Sequence, residues 1–177
     1  KPPGFAAWVD TITDPGYLSV ENFRSGTPPD RAAFASQRFL EFYRGEASCP
    51  GCPNDCIKQF EVDGEPGSGG MHQEIAGALG PNVGLTDLAV LVRANRYCNL
   101  HGLDPVSAGF SISFAMECFA QGLLTTRDTN GWDLQFGNNK VVLPLLEQIA
   151  HRQSIGDLLA EGTRRAAESI GPEAVPL

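Results

Sequence analysis

The sequence predicts an all-α fold, an irregular multi-helix domain with long glycine- and proline-rich connections, and three observations support this. Apolar residues recur at helical spacing in about five or six segments. No segment alternates apolar and polar residues over more than a few positions, as a half-exposed strand would. The 20 glycines and 13 prolines are scattered between the apolar patterns, which indicates shaped connections rather than disorder.

The N-terminal third is predicted to contain two helices. The first, over residues 4–13, is ended by an Asp-Pro-Gly sequence at residues 14–16. After an irregular stretch, Asp30 is a candidate N-cap for the second helix. This second helix leads toward a cysteine-rich segment, and its apolar positions are Phe34, Phe39, Leu40 and Tyr43.

The rest of the chain is predicted to contain four longer helices. A glycine-rich loop at residues 64–70 separates them from the cysteines. Thr86 is a candidate N-cap for a helix that ends at Gly102, and the next helix runs from Pro105 to just before Gly122. The last two cover residues 139–152 and 156–170, with Pro144 either in the first turn of its helix or shortening it.

Length, composition and charge exclude several function classes. A chain of 177 residues with 42% hydrophobic content can bury one core, so we expect a single domain over residues 1–177. The net charge of -8 would repel phosphate backbones, so no nucleic-acid partner is expected. No apolar run is long enough to cross a membrane, and a cytoplasmic protein is expected. The start without methionine suggests a piece of a larger protein.

Three of the five cysteines, Cys49, Cys52 and Cys56, lie within eight residues. Thiols so close together can turn inward on one loop and bind one inorganic centre. The spacing favours an iron–sulfur cluster over zinc, because cubane clusters commonly take three cysteines from one segment and a fourth from elsewhere. Zinc and a disulfide stay open as alternatives. Cys98 and Cys118 lie in apolar helical patterns and are predicted to be core residues.

Two further segments contain residues that could take part in chemistry. Glu74 follows the glycine-rich loop, where a partly desolvated carboxylate could transfer a proton, although a solvated surface glutamate is the simpler interpretation. His72, two residues earlier, is the best histidine candidate for the same role. The turn from Asn99 to Asp104 could accept hydrogen bonds from a planar heterocycle, or it could simply join two helices.

The order of these motifs resembles the central helical domain of the aldehyde ferredoxin oxidoreductase family of tungsten enzymes. The collinear segments that carry the resemblance are Asn22-Phe23-Arg24 with Gly26, Cys49-x2-Cys52-x3-Cys56, Glu74 ahead of Leu79-Gly80-Pro81-Asn82, Gly102-Leu103-Asp104 with Ser107-Ala108-Gly109, Phe114-Ala115-Met116-Glu117, and Gly156-Asp157-Leu158-Leu159-Ala160-Glu161-Gly162.

The resemblance implies a set of cofactors and site residues. It implies that the three local cysteines hold a [4Fe-4S] cluster whose fourth cysteine belongs to a following domain. It implies a tungsten, or less commonly molybdenum, bis-pterin centre contacted by Gly102, Leu103 and Asp104. Asn99 replaces the acid usual in the family, so its amide would offer one carbonyl acceptor together with donors. Glu74 corresponds to the family glutamate near tungsten.

The implied function is oxidation of a small aldehyde to a carboxylic acid, with electrons leaving through the cluster to ferredoxin or another carrier. The partners would then be the remaining domains of the same enzyme. A tungsten-dependent reductase of aromatic thioesters is an alternative in the same family. A small iron–sulfur or zinc interaction module is an alternative from another class, in which Glu74 and the turn would be structural only.

Overall fold

The computed structural model describes residues 4–66 and 71–177. Helices dominate the second range, whereas the first holds one short α-helix, 3-10 segments, turns and a small sheet. The α-helices described there are α1 (Trp8–Thr13), α2 (Gln73–Leu79), α3 (Leu88–His101), α4 (Pro105–Ala120), α5 (Asn139–His151), α6 (Ile155–Leu159) and α7 (Thr163–Ile170). Short 3-10 segments cover Gly4–Ala7, Ala32–Phe34, Ser36–Glu41 and Pro81–Val83. The predicted mostly helical class is confirmed. No helix in the described ranges is long and apolar enough to span a membrane.

A small antiparallel sheet is the feature that the periodicity analysis missed. Its strands β1 (Tyr43–Ala47), β2 (Ile57–Val62) and β3 (Glu65–Pro66) pair in the order β1-β2-β3. Along β2 the buried positions are Lys58, Phe60 and Val62. The sequence of β2 does not show the apolar–polar alternation of a strand, because the first of its buried positions is the charged residue Lys58. A charged residue normally lies on the exposed face.

Helix α4 lies at the centre of the fold. Ten of its residues, from Ala108 to Cys118, are buried, so the helix is covered on almost every side. Its closest approach is to α2, where Gly109 lies against the backbone of Ala78. A Cβ added at Gly109 would stand 2.5 Å from the Ala78 carbonyl oxygen, so only glycine permits this distance between the helices.

One hydrophobic core joins the helices. Leu91 of α3, Ile112 of α4 and Leu145 of α5 are fully buried members of it. Cys98 and Cys118 belong to the same core with no exposed surface, which confirms their prediction as core residues.

The predicted helix after Asp30 is wrong. Asp30 does accept a hydrogen bond from the Ala33 backbone at 3.2 Å, as an N-cap would. The chain then forms two 3-10 segments, because the extended backbone of Ala35 (φ -54, ψ 134) separates them. Tyr43 lies in β1 rather than in a helix. The apolar positions of this segment are spaced as in a helix, but they are used by tighter turns that pack on the sheet.

Several helix boundaries differ from the prediction by a residue or more. Asp87, rather than Thr86, caps α3, because its carboxylate accepts from the backbone of Ala89 and Val90. Gly102 ends α3 with a left-handed φ of 68, as predicted. The single helix predicted over residues 156–170 is two helices, α6 and α7, separated at Gly162 (φ 86). Pro144 lies inside α5 and does not shorten it. In the glycine-rich loop, residues 64–66 complete the β2–β3 hairpin, and residues 67–70 lie outside the described ranges.

Replacing Gly109 with alanine should destabilise the chain, because the added methyl group would overlap the Ala78 backbone, which cannot move aside cheaply. We expect a loss of about 2 kcal/mol in the free energy of unfolding, measured by urea titration with circular dichroism. Gly77→Ala in α2 is the matched control. Its Cβ would meet the flexible end of Leu18 at 3.4 Å, so the helix should gain up to about 1 kcal/mol. Equal free energies of unfolding for the two variants would contradict the close packing of Gly109 on the Ala78 backbone.

Candidate functional site

The three clustered cysteines lie on one loop between β1 and β2. Cys49 and Cys52 are exposed and Cys56 is half-buried. All five thiols of the chain are free, so the disulfide interpretation has no support here. A turn joins the first two, because the Cys52 backbone donates to the Cys49 carbonyl at 2.9 Å. Across the described ranges no three His, Cys, Asp or Glu side chains are already grouped to hold a metal, so the ligand role of these thiols stays a prediction.

The base of this loop is closed by the sheet and by polar contacts. Ala47 and Ile57 pair across the two strands. Ser48 Oγ donates to Asp55 Oδ1 at 2.5 Å, and Lys58 Nζ donates to the Asp55 carbonyl at 2.6 Å. Three thiols on one loop closed at its base match the donor set of an iron–sulfur cluster that takes a fourth ligand from elsewhere.

The turn between α3 and α4 borders a cavity of about 200 Å³. Gly102, Leu103 and Asp104 line it together with Ser107 and, from the segment between α6 and α7, Gly162. Two predicted motifs that are far apart in the chain therefore meet here. Such a cavity, with polar groups on one side and apolar side chains on the other, suits a planar heterocycle.

Asp104 is the charged group of this cavity. Its carboxylate accepts from Ser107 Oγ at 2.7 Å and from the Val106 backbone at 3.0 Å. The bond from Ser107, together with the backbone donors, lowers the pKa of Asp104 from its ordinary value of 3.8. Asp104 is therefore ionised at neutral pH. A carboxylate has more acceptor positions than these donors fill, so it can also accept from a ligand N–H.

Asn99 is one turn earlier on α3 and has a different environment. Its Nδ2 donates to the Asn95 carbonyl at 2.8 Å and to Asn95 Oδ1 at 3.1 Å, along the helix. The described residues that line the turn cavity do not include it. The structure therefore brings Gly102, Leu103 and Asp104 together at the cavity, and it leaves Asn99 beside it.

Glu74 borders a second cavity, of about 300 Å³. Glu74 lies in the first turn of α2, is exposed, and accepts from Gln73 Nε2 at 2.7 Å. The other walls are largely apolar and include Val106 and Phe110 of α4. His72 is the residue at the N-terminal boundary of α2, and its side chain is not among those that line this cavity.

The two cavities lie on different faces of the first turns of α4. Asp104, Ser107 and Ala108 face the turn cavity, whereas Val106 and Phe110 face the Glu74 cavity. Residues three or four apart share a helix face, which is why these two sets separate. One buried helix thus fixes the positions of both candidate site regions.

Sequence reasoning missed an aromatic wall of the Glu74 cavity. Phe23 is 67% exposed and stacks on Phe110 with ring centroids 5.5 Å apart. Tyr17, 79% exposed, lines the same cavity. The Asn22-Phe23-Arg24 motif gave the only available signal, because nothing in a single sequence distinguishes an exposed aromatic from a core residue.

Comparison with known proteins identifies relatives along nearly the whole chain. Residues 2–176 match the family model described as aldehyde ferredoxin oxidoreductase, domains 2 and 3. The tungsten-containing aldehyde ferredoxin oxidoreductase of Pyrococcus furiosus is 33% identical over 172 residues, which are 95% of this chain and 28% of that protein. The enzyme of the same description from Thermococcus kodakarensis is 32% identical over 170 residues, with the same two shares.

Two other similar proteins carry different descriptions. An aliphatic sulfonate oxidoreductase, WOR-like subunit, of Pyrococcus furiosus is 33% identical over 92% of this chain and 24% of that protein. A solved structure, the active site complex BamBC of benzoyl coenzyme A reductase in complex with 1,5-dienoyl-CoA, superposes with a TM-score of 0.74. It is 25% identical and covers 95% of this chain and 26% of that chain. The chain thus spans 24–28% of the length of these proteins.

The two classes of cysteine should differ sharply in alkylation. Burial raises the pKa of Cys98 to about 12 and that of Cys118 to about 11, so neither carries a thiolate at pH 8. With iodoacetamide on the metal-free folded chain, we expect modification of Cys49 and Cys52, and of the buried pair only after addition of urea. Peptide mass spectrometry reads the sites. Modification of Cys98 in the folded chain at the rate of Cys52 would contradict the core assignment.

Proposed function

The chain belongs to the aldehyde ferredoxin oxidoreductase family, and from this premise we propose that it is one helical domain of a larger tungsten bis-pterin oxidoreductase. Molybdenum is the less favoured metal. In this proposal the domain carries three ligands of a [4Fe-4S] cluster and half of a pterin site, and the whole enzyme oxidises a small aldehyde to a carboxylic acid. Family membership favours an enzyme over the iron–sulfur or zinc interaction module.

The observation that carries the proposal is the arrangement around α4. Glu74, an exposed carboxylate of α2, lies at the rim of a largely apolar cavity on one face of this helix. Asp104, an ionised acceptor at a polar turn, borders the cavity on another face. In an oxidoreductase, proton transfer at the substrate and binding of the cofactor need two different regions, and this arrangement provides them. One region moves protons at the substrate, and the other orients a cofactor.

The overall reaction converts an aldehyde and water into a carboxylic acid, two electrons and two protons. In this proposal a bound tungsten bis-pterin would supply the two-electron chemistry, and Cys49, Cys52 and Cys56 would hold the cluster through which the electrons leave to ferredoxin or another carrier. Glu74 is placed to accept one of the protons, because its carboxylate lies at the rim of a largely apolar cavity. Its hydrogen bond from Gln73 orients it there. His72 is a second proton carrier in this proposal, close to Glu74 in the chain.

The turn residues hold the pterin in this proposal. Asp104 would accept hydrogen bonds from N–H groups of the heterocycle, because an ionised carboxylate has acceptors and no donor. Gly102 has no side chain to block the approach, and a Cβ added there would meet nothing within 4 Å. Leu103 would supply an apolar contact. Asn99 is not among the described residues that line the cavity, and its pterin contact rests on the family resemblance alone.

A reductase is the second candidate function, and one observation favours it. The BamBC complex, described as part of a benzoyl coenzyme A reductase, shares the fold at a TM-score of 0.74. Assays of the full-length enzyme separate the two. Reduction of a viologen by aldehydes supports the oxidase, whereas activity only with aromatic thioesters supports the reductase. Tungsten, molybdenum, iron and zinc analysis of the same preparation tests the cofactor assignment.

Glu74→Gln in the full-length enzyme should lower kcat by about 100-fold with little change in tungsten content, since the amide cannot take a proton. Glu168→Gln is the control, because Glu168 is an exposed glutamate of α7 that pairs with Arg164 away from both cavities. The measurement is steady-state aldehyde oxidation with metal analysis. Unchanged kinetics in Glu74→Gln would remove its catalytic role.

Cys52→Ser in the full-length enzyme should abolish the four-iron EPR signal and electron transfer to ferredoxin, because a hydroxyl replaces a thiolate ligand. Cys118→Ala removes a thiol buried in the core and should leave the signal intact. A normal four-iron signal in Cys52→Ser would refute the ligand assignment.

A further inference from the structure

Lys58 is a buried charged residue to which the proposed function assigns no role. It follows the last clustered cysteine by two positions, lies in β2, and is only 4% exposed. Lysine is almost never this buried unless its ammonium is paired. Its inward direction is shared with Phe60 and Val62, so the strand register forces it under the loop.

The Lys58 ammonium has two oxygen partners at short distance. It donates to Glu46 Oε1 at 2.7 Å and to the backbone carbonyl of Asp55 at 2.6 Å. Glu46 is also the residue opposite Lys58 in the β1–β2 register. The hydrogen bond from Lys58, and a second from Tyr43, lower the pKa of Glu46 from its ordinary value of 4.5, so Glu46 is ionised at neutral pH.

The carbon chain of Lys58 is covered from the other side by the N-terminal 3-10 segment. A Cβ added at Gly4 would lie 2.5 Å from Lys58 Cγ, so the two are in close contact. The ammonium therefore has little freedom to swing into solvent. The ammonium group is thus held against the cysteine loop, at the Asp55 carbonyl.

Sheet stability does not explain this placement. Moving an ammonium out of water is costly, and a well-packed apolar residue at such a site is often as stabilising as an ion pair. The contact that an apolar residue could not replace is the one to the Asp55 carbonyl. Asp55 immediately precedes Cys56, and its side chain accepts from Ser48, immediately before Cys49. Asp55 thus connects both ends of the cysteine segment, and Lys58 holds the carbonyl of Asp55.

We propose that Lys58 is a positioning residue for the iron–sulfur cluster: it holds the Asp55–Cys56 peptide in place and keeps the ammonium end of its ion pair with Glu46 beside the cysteine loop. The inference rests on the proposed cluster at Cys49, Cys52 and Cys56. Polar groups just outside a metal's ligands orient those ligands and tune the metal, and their loss typically weakens metal binding 10–100-fold. A nearby positive charge favours the reduced, more negative cluster and so raises its reduction potential.

The test uses Lys58→Met in the full-length enzyme, since methionine fills the space of the side chain without its charge. We expect iron to be lost to a chelator about ten-fold faster than in the wild type, with a lower midpoint potential in an EPR titration. Lys58→Arg keeps the charge and the hydrogen-bond donors, so its rate of iron loss and its midpoint potential should stay close to those of the wild type. Arg44→Met is the matched control, because it removes a positive charge from β1 at a half-exposed side chain that pairs with Glu61.

The outcomes separate this inference from the proposed function. If Cys52→Ser abolishes the cluster but Lys58→Met has wild-type iron retention and potential, the role of Lys58 is overturned and the proposed function stands. If Lys58→Met and Arg44→Met change both properties equally, the effect is general charge and the positioning role is overturned. If Cys52→Ser keeps the cluster, the cluster is not on this loop and both proposals fail.

Discussion

The close approach of α2 and α4 at Gly109 is the constraint on which the rest of the structure depends. Because Gly109 has no side chain, α4 can lie directly against the Ala78 backbone. That contact sets Glu74, at the start of α2, across from Val106 and Phe110 and so creates the Glu74 cavity. The opposite face of α4 is then left for the turn cavity at Asp104. A wider separation of the two helices would open the first cavity and move both sets of residues.

Buried polar contacts hold distant segments to the same helix. Asn82 is fully buried, and its Nδ2 donates to Ser113 Oγ at 2.7 Å. Ser113 also contacts Asn22 Oδ1 at 3.2 Å, so the chain near residue 22, the turn after α2 and the middle of α4 are tied together. Arg24 approaches the buried carboxylate of Glu117 at 3.9 Å. Much of what resembles the family in this sequence therefore maintains the scaffold rather than performing chemistry.

The cysteines divide into two classes for the same physical reason. Cys98 and Cys118 are small apolar side chains on the inner faces of α3 and α4, where desolvation keeps them protonated. The other three lie on a loop outside the core, where no packing demand explains a thiol. Their sulfur atoms are accessible, as the proposed cluster would require if its fourth ligand came from another part of a larger protein. Lys58 and Glu117 are the charged side chains buried within the described part of the chain, and Lys58 is the one that contacts the cysteine loop.

The sequence by itself determined the helices whose apolar spacing is unbroken, such as α3 and α4, and their ends at Gly102 and Asp104, because caps and left-handed glycines are local effects. It also identified the cysteine loop, since the spacing of three cysteines on one short segment can be read directly from the sequence. Only the tertiary structure decided that residues 43–47 and 57–62 pair as strands, because Lys58 at an inward position disguises their period and pairing is a non-local choice. It alone placed Gly162 beside Asp104 and Phe23 beside Phe110, since contacts across more than fifty residues depend on how helices pack and not on any local pattern.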